Sequence, residues 1–290
     1  MIRSAAIRLA ACLAIAYLTV GTCLYFGQSK VLFPAPKKFG KETPADSALR
    51  FEDLRIPVNA RDYLHAWWIP AATPSDKVVL VFHGNSGVLE DMAGDEVARL
   101  HEIGANLMLV DYRGYGSSTP IVPEETTVNE DAAAALEYLL RGRMISPGNV
   151  FVLGRSFGSG PATRLARNNR GLGGLILETP FSSIDDALSQ SWYFRIYPLG
   201  PILRTHFDNL NTIRSVKVPL LIVAGTADTS TPIWMARNIF AQANRPKQFY
   251  AVPGASHIDL PTSGGAALER ILQEFIRRPL RGPYSRSPRL

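Results

Sequence analysis

Three residues far apart in the chain, Ser156, Asp228 and His257, have the types and the order needed for nucleophilic catalysis. A serine hydroxyl is a poor nucleophile at neutral pH. An imidazole must therefore take its proton as it attacks a carbonyl carbon, and a carboxylate must hold that imidazole in the right tautomer. Asp228 follows Ser156 by 72 residues, and His257 follows Asp228 by 29. We predict Ser156 as the nucleophile, His257 as the base and Asp228 as the acid, with Asp259 as the rival acid.

Ser156 stands in the pentapeptide Gly154-Arg-Ser-Phe-Gly158, and its surroundings strengthen this assignment. The apolar run 150–153 precedes the pentapeptide, and the helix-like stretch 161–166 follows it. The two glycines let the chain turn sharply from strand to helix, so that the serine hydroxyl is exposed above the sheet at a helix N-terminus. The pattern G-x-S-x-G is weak by itself, but a strand before it and a helix after it are the context that a nucleophile requires.

Acyl transfer also needs hydrogen-bond donors for the negatively charged oxygen of the tetrahedral intermediate, each worth roughly 3 kcal/mol. Two backbone amides are suited to this role. The amide of Phe157 directly follows the nucleophile, and the amide of Asn85 follows a strand-like run and the pair His83-Gly84. His83 itself is expected to pack and hydrogen-bond near this loop without taking part in the chemistry.

Strand-like and helix-like runs alternate along the chain, which is the pattern of a parallel sheet covered by helices. We therefore predict an α/β fold with strand-like runs at 51–58, 63–70, 78–82, 106–110, 150–153, 175–177, 219–228 and 248–253. Helices are predicted at 89–102, 124–140, 161–168, 232–243 and 266–276. Ligands of such sheets bind beyond the carboxyl ends of the strands, where Ser156, Asp228 and His257 would all lie. Asp111 and Arg113, at the end of another strand, are expected to fix a turn.

Five blocks of sequence carry a resemblance to the α/β-hydrolase superfamily. They are His83-Gly-Asn-Ser-Gly87, Asp111-Tyr-Arg-Gly-Tyr-Gly-Ser117, Gly154-Arg-Ser-Phe-Gly158, Glu178-Thr-Pro-Phe-Ser-Ser183 and Ala224-Gly-Thr-Ala-Asp228. More narrowly, the chain is similar to small membrane-anchored serine hydrolases related to α/β-hydrolase-domain depalmitoylases and to serine aminopeptidase-like hydrolases. The resemblance implies a mostly parallel eight-stranded sheet flanked by helices. It also implies esterase, thioesterase or amidase chemistry without a cofactor.

Metal and nucleotide sites are not predicted. The sequence contains no H-E-x-x-H, no paired Cys-x-x-Cys and no G-x-x-x-x-G-K-[ST] motif. We therefore expect neither a cofactor nor a metal.

The N-terminal segment 1–41 is predicted to be a membrane anchor with a basic linker, followed by a catalytic domain at 42–278. Residues 9–26 carry no charge and would form a helix of about 27 Å, close to the roughly 30 Å of a bilayer's hydrocarbon core. We favour an uncleaved single-pass anchor. A signal peptide cleaved near Gly21 or Thr22, with export of the domain, is the alternative. The side of the membrane is left open, because basic residues flank the apolar run at both ends.

The overall net charge of +6 conceals an acidic body between two basic flanks. Residues 1–41 contain six Lys and Arg, residues 277–290 contain five, and neither flank has an acid. Of the 31 basic residues, 20 therefore remain in 42–276 against all 25 acidic ones, a net charge of −5. Basic flanks favour contact with anionic lipid. The domain has no stripe of alternating basic and aromatic residues, so we do not expect nucleic acid as a partner. The tail 279–290 is expected to be disordered.

Residues 184–217 interrupt the alternation of strands and helices and are predicted to form a short cap. The insert contains an aromatic cluster, Trp192, Tyr193 and Phe194, which we predict to bind substrate, although ordinary packing of the insert is an equal reading. Anchor, basic flanks and cap together favour lipid-like acyl esters or thioesters over other small-molecule substrates.

Two other functions remain open at this point. A serine peptidase of the aminopeptidase-like kind would need a carboxylate to bind a free amino terminus, and Glu178, Asp185 and Asp186 are the candidates. A non-catalytic hydrolase-fold binding protein is the other alternative.

Overall fold

The computed structural model describes residues 2–35, 40–192, 194–277 and 285–286. A single sheet of nine strands, in the order β1-β2-β4-β3-β5-β6-β7-β8-β9, forms its centre. The strands are β1 Glu52–Pro57, β2 Tyr63–Ile69, β3 Val78–Phe82, β4 Asn106–Val110, β5 Val150–Arg155, β6 Gly174–Glu178, β7 Leu220–Gly225, β8 Lys247–Val252 and β9 Ser285–Arg286. The strand β2 runs antiparallel to both of its neighbours, and β3 to β9 pair in parallel.

Eight of these strands were predicted from the sequence, and the mostly parallel sheet is confirmed. The central strands read as short runs of apolar residues because both of their faces are covered: every residue of β3, β6 and β7 is buried. The two-residue strand β9 was not predicted. It pairs with Lys247 and Gln248 at the sheet edge and belongs to the tail 279–290, whose remaining residues lie outside the described part of the chain.

Helices cover both faces of the sheet. They are α1 Ile2–Leu32, α2 Leu89–Met92, α3 Asp95–His101, α4 Glu125–Glu137, α5 Ser159–Asn168, α6 Ile184–Leu188, α7 Leu199–Ile202, α8 Asn209–Thr212, α9 Ile233–Gln242 and α10 Leu260–Arg277. The helix predicted at 89–102 is two helices, because Gly94 interrupts it and precedes the first turn of α3. The helix predicted at 266–276 starts earlier, at Leu260, and is kinked at Gly265, where φ is +46°.

Two apolar layers make up the core, one on each face of the sheet. One contains side chains of α4, α5 and α9, and the other contains side chains of α2, α3 and α10. Packing on both faces holds the strands in register, so that the loops at their carboxyl ends lie along one edge.

The N-terminal helix α1 differs from the others because its residues 3–20 are all exposed. The stretch Arg3–Leu32 has a mean hydropathy of 1.9 in its most apolar part, which makes it long and apolar enough to cross a membrane. Such a helix fits either a membrane anchor or a signal sequence. Its last turns are buried against the body at Gln28, Ser29 and Leu32.

The insert 184–217 contains α6, α7, α8 and two single 3-10 turns. It packs along the second half of α1, where the rings of Tyr17 and Tyr197 stack with centroids 4.7 Å apart. The insert and the second half of α1 therefore pack against each other.

Candidate active site

The turn between β5 and α5 presents Ser156 in a backbone conformation that few side chains adopt. Ser156 has φ of +50° and begins a single 3-10 turn, Ser156–Gly158, before α5. A Cβ on Gly154 would lie 2.4 Å from the Gly158 oxygen, and a Cβ on Gly158 would lie 2.1 Å from the Phe82 oxygen. Both glycines are therefore required for the strand, the turn and the neighbouring strand β3 to approach so closely.

The three side chains singled out in the sequence meet in one hydrogen-bonded row. Ser156 Oγ lies 2.9 Å from His257 Nε2, and His257 Nδ1 lies 2.8 Å from Asp228 Oδ2. Asp228 follows β7 and His257 follows β8, so adjacent strand ends supply the acid and the imidazole. Because the carboxylate accepts the Nδ1 proton, Nε2 keeps the lone pair that can take a proton from the serine hydroxyl.

The carboxylate of Asp228 is held ionised by its surroundings. The amides of Ser230 and Thr231 both donate to its Oδ1 at 2.8 Å. Burial acts to raise the pKa of Asp228, but the hydrogen bonds from His257 and the Thr231 amide outweigh it, and the pKa lies below its ordinary value. Asp228 therefore carries the negative charge that an imidazolium at position 257 would need.

The rival acid, Asp259, binds the backbone and side chain of Ser256. Its Oδ1 accepts hydrogen bonds from the Ser256 amide at 2.6 Å and from the Ser256 hydroxyl at 2.9 Å. This closes the turn that carries His257 and leaves Asp259 exposed.

Sequence reasoning missed the hydroxyl of Thr231. Its Oγ1 lies 2.9 Å from Asp228 Oδ2, 3.1 Å from His257 Nδ1 and 3.1 Å from the Thr179 oxygen. The signal was present as a threonine three residues after an aspartate at a strand end, a spacing typical of loops closed by side-chain hydrogen bonds.

A cavity of about 680 Å³ opens in front of Ser156. Its polar wall includes Gly84, Asn85, Ser156, Phe157 and His257, and its apolar wall includes Leu32, Phe181, Ile184, Ala187 and Leu188. A Cβ on Gly84 would lie 3.8 Å from that of Ser156, so the loop that carries Asn85 passes directly beside the hydroxyl. Asn85 and Phe157, the two residues whose amides were predicted to hold an oxyanion, thus border the same space.

The end of α1 also contacts both of these residues, which the sequence did not indicate. The Asn85 side-chain amide donates to the Leu32 oxygen at 3.3 Å. The rings of Phe33 and Phe157 meet edge to face with centroids 5.3 Å apart. The N-terminal helix therefore contributes to the wall of the cavity and supports the loop and the turn on either side of Ser156.

A buried carboxylate, Asp111, positions the loop that begins at His83. It lies 3.2 Å from His65 Nδ1 and 3.3 Å from His83 Nε2, and it accepts the Leu89 amide at 3.1 Å. His83 Nδ1 in turn lies 2.7 Å from the Gly84 oxygen. Burial acts to raise the pKa of Asp111, but its two histidine partners outweigh it and lower the pKa. Asp111 and His83 thus organise the loop.

Arg155, inside the pentapeptide, neutralises a carboxylate behind the site. Its Nε and Nη2 donate to Glu178 Oε2 at 2.8 and 2.7 Å, and its Nη1 pairs with Glu96. The Glu178 side chain is 1% exposed, so this ion pair is shielded from water on the Glu178 side.

Two of the aromatic residues predicted to bind substrate, Trp192 and Phe194, are not among the described residues that line the cavity. Trp192 is 74% exposed, and Phe194 borders a small apolar seam between α1 and α7. Tyr193 lies outside the described residues. The insert instead contributes Ile184, Ala187 and Leu188 to the cavity wall. These three residues share the apolar face of α6, which was not recognised in the sequence. The helix has only about one and a half turns, too short to show a helical repeat of apolar residues.

Metal ligands do not cluster in the described ranges, where no group of three or more His, Cys, Asp or Glu side chains could hold an ion.

Comparison with known proteins places this geometry in a family. Residues 73–212 match the family described as Serine aminopeptidase, S33. An uncharacterized protein of Mycobacterium tuberculosis is 33% identical over 218 residues, which make up 74% of this chain and 74% of that protein. Protein bem46 of Schizosaccharomyces pombe is 27% identical over 283 residues, 92% of this chain and 91% of its own.

A solved structure shares the fold. The esterase Pf2001 of Pyrococcus furiosus superposes with a TM-score of 0.70 at 21% identity, covering 84% of this chain and 97% of the esterase. Sheet order, strand-end loops and sequence similarity agree, and the chain belongs to the α/β-hydrolase superfamily and, within it, to the serine aminopeptidase-like S33 family.

Proposed function

We propose that the protein is a serine hydrolase that cleaves carboxylic esters or thioesters through an acyl-enzyme on Ser156. The observation that carries this proposal is the unbroken row from Ser156 through His257 to Asp228 at the edge of a cavity. Ordered contacts of this length let a hydroxyl be deprotonated as it attacks.

Each residue has one role in the proposed reaction. Ser156 Oγ attacks the acyl carbon while His257 Nε2 takes its proton, and the amides of Asn85 and Phe157 hold the oxyanion. Collapse of this intermediate expels an alcohol or thiol, which takes the proton from His257. Water then attacks the acyl group by the same route, releasing the carboxylic acid and restoring Ser156. Asp228 stabilises the imidazolium in both halves.

Lipid-like acyl groups are the favoured substrates. The cavity volume of about 680 Å³ falls within the range of pockets that enclose drug-sized organic ligands. Leu32, Phe181, Ile184 and Leu188 offer an acyl chain an apolar wall. Asn85, Ser156 and His257 also line the cavity, and an ester or thioester carbonyl would lie beside them.

Retention of α1 as an anchor is part of the proposal. Cleavage near Gly21 would remove Tyr17, which stacks on Tyr197 and donates through its hydroxyl to the Ile196 oxygen at 3.0 Å. Ordered contacts between the body and both sides of the possible cleavage site favour a helix that stays attached.

None of the three carboxylates considered for the peptidase alternative is free to bind an amino terminus. Glu178 is bound by Arg155, Asp185 lies 3.2 Å from His206 Nδ1, and Asp186 accepts from the Ser182 hydroxyl at 2.5 Å. A free amino terminus would have to displace one of these partners. The assembled row at Ser156 likewise disfavours a non-catalytic binding protein.

A fluorophosphonate probe, which phosphonylates activated serines, tests the nucleophile. We expect the purified protein to be labelled and Ser156→Ala to remain unlabelled. Ser86→Ala is the matched control, because Ser86 borders the same cavity and should not affect labelling. Equal labelling of the wild type and Ser156→Ala would refute the assignment.

A substrate panel then separates the functions. Esters of increasing chain length, a palmitoyl thioester and an aminoacyl anilide are offered to the wild type and to Ser156→Ala. We expect esters and thioesters to be cleaved, with a preference for long chains. Anilide turnover without ester turnover would favour the peptidase, and no turnover together with no labelling would favour a binding protein.

A further inference from the structure

The part of α1 that precedes its contacts with the body is too short to cross a bilayer by itself. Between Arg8 and Lys30 lie 21 uncharged residues. As a helix they span about 31 Å, close to the thickness of the hydrocarbon core of a bilayer. Among the described residues, the insert contacts α1 from Tyr17 onwards, and the fifteen residues of α1 before Tyr17 span only about 22 Å. A spanning α1 must therefore bring part of the body into the bilayer with it.

The part that accompanies α1 is the insert. Ile196 and Tyr197 contact the helix at Tyr17. Further along, Gln28 donates to the Ile202 oxygen at 3.0 Å and accepts from the Arg204 amide at 2.6 Å. The insert thus follows α1 for eleven residues, or about 16 Å. Most of that length belongs to the uncharged run.

The composition of the insert suits lipid. Residues 187–207 contain no Asp or Glu, although the body as a whole is acidic. Trp192 and Ile196 are 74% and 55% exposed, and Phe26 on α1 is 73% exposed. Arg204 lies over the ring of Tyr25, 5.6 Å from its centroid. Exposed apolar and aromatic side chains with cations as the only charges are typical of surfaces that enter an anionic membrane interface.

We propose that Trp192 and Ile196, together with residues 17–26 of α1, form a docking face that is embedded in the phospholipid bilayer. The anchor then does more than tether the body: it fixes the depth and orientation of the cap.

The docking face continues into the cavity. Leu32 and Leu188 border the cavity in front of Ser156, and both also border the apolar seam between α1 and α7. The seam is closed to about 20 Å³, and Gln28 is its one polar lining residue among those described. This inference rests on the proposed hydrolase function. The continuity of seam and cavity implies that an acyl chain enters from the lipid phase beside α1. The substrate class is then membrane lipids or lipidated proteins.

Quenching of tryptophan fluorescence by brominated phosphatidylcholine tests the docking face. The chain has four tryptophans, of which Trp67 and Trp68 are buried in the body and Trp234 is 40% exposed on α9. In proteoliposomes of the full chain, we expect brominated lipid to quench the wild type. Trp192→Phe should remove most of the quenching, and Trp234→Phe should leave it. If quenching persists in Trp192→Phe, or if the wild type is not quenched, the insert lies outside the bilayer. That result is also expected if another protein covers the insert.

A charge on the docking face supplies the second test. Ile196→Glu should lower kcat/KM about tenfold for a long-chain ester in the same bilayer, because membrane contact depends on buried apolar area. Hydrolysis of a soluble short-chain ester should change less than twofold. Met144→Glu is the matched control, since Met144 is 81% exposed and precedes the amino end of β5, away from the cavity.

The two proposals fail differently. Equal losses on both esters in Ile196→Glu would contradict the docking face. Quenching that depends on Trp192 in a wild-type protein that cleaves neither ester would uphold the docking face and reject the hydrolase.

Discussion

The hydroxyl of Thr231 fixes the relative positions of the acid and the imidazole. It lies within hydrogen-bonding distance of both Asp228 and His257, and it reaches the Thr179 oxygen at the end of β6. This hydroxyl ties together loops from three strands. Its loss should disturb orientation more than substrate binding.

Replacement of Thr231 tests this positioning role. We expect Thr231→Ala to lower kcat about tenfold with KM unchanged, since one hydrogen bond of about 1 kcal/mol and the alignment it maintains are lost. Thr231→Ser keeps the hydroxyl and should recover most of kcat. The comparison uses a soluble short-chain ester. A serine variant as slow as the alanine variant would show that the methyl group, not the hydroxyl, matters.

The ion pair of Arg155 and Glu178 should matter for stability. Arg155→Met leaves a buried carboxylate unpaired, and we expect a loss of about 3–5 kcal/mol in the free energy of unfolding. Adding Glu178→Gln removes the orphaned charge and should restore much of that loss. Urea unfolding in detergent measures both variants. If the double variant is no more stable than the single one, an uncompensated charge is not the cause.

At the scale of elements, the end of α1 is a functional part of the catalytic domain. Its last turn borders the cavity through Leu32, and the next residue, Phe33, packs on Phe157. The long apolar helix therefore also supports the turn that carries Ser156. The proposed anchor and the proposed active site are in direct contact.

This joint predicts an effect of Phe33 on catalysis. Phe33→Ala opens a gap beside Phe157 and should lower kcat several-fold on a soluble ester, while Phe33→Leu, which fills most of the volume, should stay near wild type. Far-UV circular dichroism controls for the fold. Full activity of the alanine variant would show that α1 does not support the turn.

The strand β2 carries a histidine whose protonation should stabilise the fold. Burial acts to lower the pKa of His65, but contacts with Asp111 and Asp53 outweigh it and raise the pKa above its usual value of 6.5. A raised pKa contributes stability that is complete below about pH 6.5 and is lost as pH rises through the folded-state pKa. The stability difference between the wild type and His65→Gln should therefore shrink between pH 5.5 and 8.5 in urea unfolding. A difference that grows with pH would reverse the sign of this assignment.

The elements that sequence patterns predict well are those governed by local chemistry. Strands β3 to β8 follow from short apolar runs, and the turn at Ser156 follows from two glycines in fixed places. Contacts between distant segments follow no such pattern. The pairing of Arg155 with Glu178, the hydroxyl of Thr231 and the contact of Leu32 with Asn85 depend on the packed structure. Trp192 and Phe194 show the same limit: their aromatic character was evident, but their direction was not.

At the scale of the whole molecule, charge and apolar surface are arranged around one end. The body has a net negative charge, whereas residues 187–207 contain no Asp or Glu and lie beside the apolar helix α1. The insert that contacts α1 also borders the cavity in front of Ser156. We propose that the contact between α1 and the insert sets both the orientation of the body and the access to Ser156.

The acyl-enzyme itself provides the most direct test. The protein is mixed with a long-chain p-nitrophenyl ester, quenched with acid during turnover and digested, and the acylated peptide is identified by mass spectrometry. We predict the acyl group on the peptide that contains Ser156, together with loss of both adduct and turnover in Ser156→Ala. An acyl group on another side chain, or undiminished turnover in Ser156→Ala, would contradict the account.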